Sequence, residues 1–187
     1  MIESRLVVIN PGWGRSLTRC DMVMTAQRIE PQVFRQILGH LPTGACVVSS
    51  ADAHGKPLGL TCNSFTSVSL TPPLVSFCPA KASTTWPLMR PTGQFAVNVL
   101  AEHQADLCRR FARRGLDRFH GVDWHVSPLG NPLLDGALAW LDCELVAEHD
   151  AGDHTIVVAG VRELASPGGR GPLIFFGGRY GRFLLDE

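Results

Sequence analysis

Apolar and polar residues alternate along this chain in many short runs, with helical spacing in only a few windows. Val33, Phe34, Ile37 and Leu38 recur at helical spacing. Pro31 suits the first turn and Gly39 the exit, so the pattern predicts a helix over Pro31–Leu38. Strand chemistry follows at 45–50, 58–63, 65–70 and 74–78, punctuated by His54-Gly55 and Thr71-Pro72-Pro73. Residues 94–100 alternate with Phe95, Val97 and Val99 on one face. Helices are predicted at 83–89 and 102–114. The second offers Ala105, Cys108 and Ala112, or Leu107 and Phe111, to a core. A polar stretch is left irregular, and strands resume at 138–147 and 155–164. Within the first, Leu141, Cys143 and Leu145 alternate with Asp142 and Glu144, which predicts one wet face. Short strands at Leu173–Phe176 and 180–184 end the chain. Many strands with few helices predict a mainly β fold closed as a barrel, not a doubly wound sheet.

Residues 1–29 break this pattern. They contain Asn10-Pro11-Gly12-Trp13-Gly14 and no sustained period, so they are expected to form a loose, dispensable extension, with Met22 or Met24 as alternative starts. The remaining 30–187 is one domain's worth of chain. Hydrophobic residues make up 45% of it all, and Lys+Arg equals Asp+Glu at 17 each. A balanced chain lacks the positive surplus that nucleic-acid or acidic-membrane binding requires, so neither partner is expected. No apolar run approaches the roughly 18–20 residues of a membrane span. The patch Leu6-Val7-Val8-Ile9 is too short for a secretory signal, and the expected location is the cytoplasm. Six cysteines without a C-x-x-C pair, several of them in apolar runs, read as buried free thiols, and no metal site is expected.

A dinucleotide-binding G-x-G-x-x-G element is missing: Gly12-Trp13-Gly14 has Leu17 where the third glycine belongs. There is no P-loop and no G-x-S-x-G elbow. The informative stretch is 59–75, where Thr61, Asn63, Ser64, Thr66 and Ser67 cluster across two strand-like runs. Such side chains suit the polar edge of a planar heterocycle, and equally a polar-faced strand pair closed by a Pro-Pro turn. Ser83, Thr84 and Thr85 open a predicted helix beside Lys81. That arrangement serves an anion site or an ordinary helix cap. Arg109, Arg110, Arg113, Arg114 and Arg118 form a basic cluster that reads as a solvated helix face or as a trap for phosphates.

The ordered set of motifs resembles the flavin reductase-like family of FMN-binding split barrels, in its short-chain branch. It runs from Leu41-Pro42-Thr43-Gly44-Ala45-Cys46-Val47-Val48 through 59–69, Pro72-Pro73-Leu74-Val75 and Phe95-Ala96-Val97-Asn98-Val99-Leu100. Asp117-Arg118-Phe119, Leu134-Asp135-Gly136, Gly152-Asp153-His154-Thr155 and Gly178-Arg179-Tyr180 complete it, covering about residues 32–184. The resemblance implies a Greek-key split β-barrel with a few short flanking helices. It implies a homodimer that reduces FMN or FAD with NADH or NADPH and passes diffusible reduced flavin to a monooxygenase. Hydride passes from nicotinamide C4 to flavin N5, with the two rings stacked about 3–3.5 Å apart and no obligate catalytic residue. By residue, it implies that Thr61, Asn63 and Ser64, with Thr66 and Ser67 alongside, hold the ring and ribityl chain. Ala80, Lys81, Ser83, Thr84 and Thr85 would hold the phosphate, and Arg118 would attract cofactor phosphates. His154 would position the nicotinamide and Tyr180 would pack near it, although alone they read as a turn residue and a core residue. Two rivals share the barrel. A pyridoxine-phosphate-type oxidase lacks its second phosphate site here, and a non-catalytic flavin- or haem-binding sensor would not need the Gly-Asp-His-Thr element.

Overall fold

The computed structural model describes residues 29–115, 117–168 and 171–183; the expected N-terminal extension lies outside them, apart from Ile29. Helix α1 (Pro31–Leu38) leads into twelve strands. These are β1 (Thr43–Gly44), β2 (Cys46–Ala51), β3 (Pro57–Cys62), β4 (Thr66–Leu70), β5 (Pro73–Phe77), β6 (Gln94–Val99), β7 (Trp124–Val126), β8 (Pro132–Leu134), β9 (Ala139–Ala151), β10 (His154–Ala165), β11 (Leu173–Phe176) and β12 (Arg179–Arg182). Two helices interrupt them, α2 (Trp86–Met89) after β5 and α3 (Ala105–Ala112) after β6.

The main sheet has seven strands in the order β3-β2-β6-β9-β10-β5-β4, and every pairing is antiparallel. Its two edges, β3 and β4, are consecutive in the chain and joined by Asn63, Ser64 and Phe65 alone. Laid flat, seven strands would separate the edges by about 29 Å, at roughly 4.8 Å per pairing. The short link can span only about 14 Å. The sheet must therefore curl until its edges nearly meet, and the unpaired seam between β3 and β4 is the split in the barrel. Ser64 ties the link to the end of β5, its Oγ accepting from the Cys78 amide at 2.9 Å.

The barrel interior holds Val48, Leu60, Phe77, Met89, Phe95 and Val157, all buried. Phe77, Trp86 and Phe95 meet edge to face there, with centroids 5.2–5.8 Å apart. A second apolar cluster lies outside the wall. Val47, Leu100 and Leu173 pack there with Cys108 and Phe111 of α3 and with Phe119. β2 and β6 are therefore covered on both sides, and Ala96 and Asn98 are as buried as Phe95 and Val97. A three-stranded sheet, β1-β11-β12, flanks this layer.

One expectation fails in an informative way. Asp142, assigned to a wet face, is 0% exposed. It does point out of the barrel, but the β7–β8 strap covers it. Asp142 Oδ2 accepts from the Leu129 amide at 2.9 Å, and Oδ1 accepts from Asn131 Nδ2 at 2.8 Å. Asn98 ties down the same strap, donating to Ser49 Oγ and accepting from the Leu134 amide, each at 2.8 Å. These buried polar groups all have hydrogen-bond partners, which offset part of the cost of burying them. The second expected helix is also shorter than 102–114, because a 3-10 turn at Glu102–Gln104 precedes α3.

Candidate active site

A cavity of about 410 Å³ opens at the split end of the barrel, within the size range of small-molecule sites. β3 delivers Thr61 and Cys62, and the link to β4 delivers Asn63 and Ser64. The segment after β5 supplies Pro79, Ala80, Ser83, Thr84 and Thr85. Phe111 and Ala112 of α3, with Phe175 and Tyr180 of the flanking sheet, form the opposite wall. His154 enters from the first position of β10. Ala80 bridges to it, the Thr155 amide donates to Pro79 O at 3.0 Å, and the Lys81 amide donates to Asp153 O at 2.9 Å. Residues about 70 positions apart in the chain thus share one rim.

The hydrogen bonds show which capacity remains for a ligand. Thr61 Oγ1 donates to Cys108 O at 2.8 Å, which commits its proton and leaves its lone pairs free. Ser64 Oγ accepts from Cys78 and lies 3.3 Å from Cys62 Sγ. The Asn63 amide is exposed and makes no hydrogen bond among the described residues, so it keeps both a donor and an acceptor. Ser83 Oγ accepts from the Thr85 and Trp86 amides at 3.3 and 3.2 Å, and its hydroxyl proton remains available. The helix it opens is a single turn, shorter than the expected 83–89. Attraction of an anion to this loop therefore rests on hydroxyls and on the nearby guanidiniums, not on a long helix dipole.

Arg118 is tied into the wall of the cavity by two of its three nitrogens. Its Nη1 donates to Gly59 O and, at 2.8 Å, to Thr85 Oγ1, while Nε donates to Arg113 O at 2.8 Å. Burial pulls this guanidinium below its ordinary value, though an arginine remains charged at neutral pH. The side chain is a strut between the strand carrying Thr61 and the loop carrying Thr84. Arg114 is the second cation on the cavity; its Nη2 donates to Ala82 O at 3.2 Å. Gly59 itself is a forced choice. A Cβ there would lie 2.6 Å from Phe111 Cε1, so α3 can approach β3 this closely only over a glycine.

On the far rim, His154 Nδ1 meets Asp153 Oδ1 at 2.7 Å, and this contact holds the exposed Asp153 carboxyl below the usual range. Tyr180 is held between the Phe175 ring, 5.3 Å away by centroid, and the Arg109 guanidinium, 5.1 Å from its ring centre. Burial first, and then the adjoining Cys108 thiol, push the Tyr180 phenol above its ordinary value.

Of the thirteen residues expected at the site, ten line this cavity: Thr61, Asn63, Ser64, Ala80, Ser83, Thr84, Thr85, Arg118, His154 and Tyr180. Three do not. Thr66 and Ser67 lie past the link on the exposed edge strand β4. The Lys81 side chain turns to the Asp150 carboxylate. Sequence reasoning assigned no site role to Phe111 or Phe175 and did not single out Arg114. The first two are ordinary apolar residues, and Arg114 was one of five arginines in a cluster.

The donor set suits a flavin. One end of the cavity offers free amide and hydroxyl groups at a strand terminus, the other offers hydroxyls and cations, and Leu60, Phe77, Phe111 and Phe175 supply flat apolar contact between them.

Comparison with known proteins agrees. The model of the flavin reductase like domain matches residues 38–184. A flavin reductase of Pseudomonas putida is 44% identical over 167 residues, covering 89% of this chain and 98% of that protein. The reductase subunit of a flavin-dependent monooxygenase from Rhodococcus jostii is 44% identical over 160 residues, covering 86% of this chain and 82% of that protein. Among solved structures, an NADH:FAD oxidoreductase of Streptomyces globisporus, in complex with NAD and FAD fragments, superposes with a TM-score of 0.76. It is 37% identical and covers 84% of this chain and 97% of that one. The split barrel, its mouth and the ordered motifs lead to one assignment: the chain belongs to the flavin reductase-like family and is a flavin-reducing enzyme.

Proposed function

We propose that the cavity at the barrel split binds FMN or FAD and admits NADH or NADPH against it, and that the reduced flavin then leaves for a partner monooxygenase. One observation carries this reading: strand end, phosphate-type loop and Gly-Asp-His-Thr turn, far apart in the chain, converge on a single cavity. When bound, the nicotinamide supplies a hydride and the flavin accepts it.

The chain's own residues bind and orient. Asn63 and Thr61 present a donor and acceptors to the pyrimidine edge, and Ser83 and Thr84 donate to the phosphate, with Arg114 balancing its charge. Phe111 and Phe175 exclude water from one side. His154, fixed by Asp153, holds the nicotinamide amide at the rim, and Tyr180 walls that space. No side chain needs to give or take a proton at the reacting atoms.

A cavity of about 410 Å³ that opens to solvent favours a flavin that comes and goes as a substrate over one permanently sealed in. The relative from Rhodococcus jostii is the reductase subunit of a monooxygenase, which supports the same delivery role here. We further propose a homodimer. The apolar face of α1, with Phe34, Ile37 and Leu38 half or more exposed, lies beside the exposed Phe176 and is suited to a second copy. No helix among the described residues is long and apolar enough to cross a membrane, and the proposed location is the cytoplasm.

Steady-state kinetics with the four pairings of FMN or FAD with NADH or NADPH test the reading. Turnover saturating in both substrates, for at least one pairing, is expected. Turnover in none would refute it.

A further inference from the structure

A carboxylate occupies an inward position of the barrel wall. The inward row of β9 runs Leu141, Cys143 and Leu145 and, past the register shift beside Val146, Glu148, which stands directly opposite the buried Val157 of β10. Residues directly opposite in an antiparallel pair share a face, so Glu148 points to the core side of the sheet. Its side chain is 22% exposed, and a carboxylate taken that far from water needs partners. Both partners sit at α2. Oε1 accepts from Trp86 Nε1 at 2.9 Å, and Oε2 lies 3.1 Å from Arg90 Nε. Trp86 is the first residue of α2 and Arg90 caps its other end, so one carboxylate holds both ends of a single helical turn. A turn this short has little stability of its own and takes its position from such contacts.

The same turn anchors the phosphate-type loop. The Trp86 amide donates to Ser83 Oγ at 3.2 Å, and the Leu88 and Met89 amides donate to Thr85 O at 3.0 and 3.2 Å. We propose that Glu148 is a positioning residue for the flavin phosphate: it fixes α2, and through Trp86 and Thr85 it aims the Ser83 and Thr84 hydroxyls into the cavity without touching the ligand. The inference rests on the reading of that loop as the phosphate site. Glu148 is not among the residues lining the cavity, so its effect passes through the loop. The hold comes from the β9–β10 hairpin, which also carries His154. Further along that hairpin the Asp150 carboxylate pairs with Lys81, and Asp153 O accepts from the Lys81 amide at 2.9 Å. The flavin loop and the nicotinamide turn are thereby fastened to one support.

Riboflavin has the ring and ribityl chain of FMN and no phosphate, so the two ligands separate the loop from the rest of the cavity. Dissociation constants for both are measured by flavin fluorescence, on variants whose folding is checked by circular dichroism. The parent protein should bind FMN more tightly than riboflavin by about tenfold or more. Glu148→Ala should weaken FMN by about 5- to 30-fold and leave riboflavin within about twofold. Glu148→Gln keeps an acceptor for Trp86 and should stay within about threefold of the parent for FMN. Trp86→Phe keeps an aromatic ring against Phe77 and Phe95 and removes the indole donor together with its hold. It should show the same FMN-selective loss, and it serves if Glu148→Ala does not fold. Equal weakening of FMN and riboflavin would make Glu148 a general structural contact and overturn the proposal, as would unchanged FMN binding. An FMN loss in Glu148→Gln as large as in Glu148→Ala would overturn the route through Trp86. A parent protein that binds both flavins equally refutes the phosphate reading of the loop, and one that binds neither refutes the flavin reading of the cavity. In either case the proposal falls before any variant is compared.

Discussion

Gly59→Ala probes how closely the barrel and α3 must approach to form the cavity. The added Cβ would sit 2.6 Å and 2.9 Å from two Phe111 ring carbons, about 1 Å inside ordinary contact. Phe111 cannot retreat easily. It is 1% exposed and packed edge to face on Phe119 at 5.0 Å, which packs in turn on Trp124 at 5.9 Å. Overpacking of this kind costs about 1–3 kcal/mol. Loss of glycine's backbone freedom in the unfolded chain offsets only about 0.4–1 kcal/mol, so the clash dominates. For a chain of this size each kcal/mol moves Tm by roughly 2–4 °C, which sets an expected fall of about 2–8 °C. Flavin affinity should fall as well, because Gly59 O receives Arg118 and the same strand carries Thr61. Thermal melts by circular dichroism and flavin fluorescence titration measure both. A variant that melts within about 1 °C of the parent and binds flavin normally would refute the close-approach argument.

Ser83→Ala with Thr85→Ala removes a phosphate donor, the acceptor for the Trp86 amide at the start of α2 and an acceptor for Arg118. Flavin binding should weaken by about 1–3 kcal/mol, roughly 5- to 150-fold by titration, with a smaller loss of Tm. His154→Ala should lower kcat/KM for NAD(P)H by about 5- to 150-fold while flavin affinity barely changes. The reverse pattern would place His154 on the flavin instead. Asp142→Ala strands the Leu129 amide and Asn131 Nδ2 in a buried strap and should cost about 2–4 kcal/mol in denaturant unfolding, whereas Asp142→Asn, which keeps an acceptor, should cost less.

The strands were readable because their alternation is set by one buried face, and the Leu173–Phe176 strand agrees to the residue. What the pattern hid was the second layer outside the barrel. Asp142 and Asn98 look like surface positions in a strand, yet they are buried, because a strap built from two three-residue strands folds over them. Strands that short leave no measurable period, and the bonds that hold the strap link residues 11 to 83 positions apart. The site was legible where small polar residues cluster, at Thr61, Asn63, Ser64 and Ser83–Thr85. It was not legible where proximity depends on closure of the barrel. Thr66 and Ser67 neighbour the cluster in sequence but fall beyond the seam, and the bonds from Arg118 Nε and Nη1 to backbone and to Thr85 link residues no local pattern connects.

Anaerobic mixing of catalytic amounts of the protein with NAD(P)H and excess free flavin reads flavin reduction itself. The near-ultraviolet absorbance of reduced nicotinamide and the visible absorbance of oxidised flavin are followed together. A flavin reductase gives one-for-one loss of the two signals over many turnovers, slowed by Ser83→Ala with Thr85→Ala through flavin affinity and by His154→Ala through NAD(P)H. Flavin binding without any bleaching, with every pairing of cofactors, would contradict it and leave a flavin carrier on the same barrel.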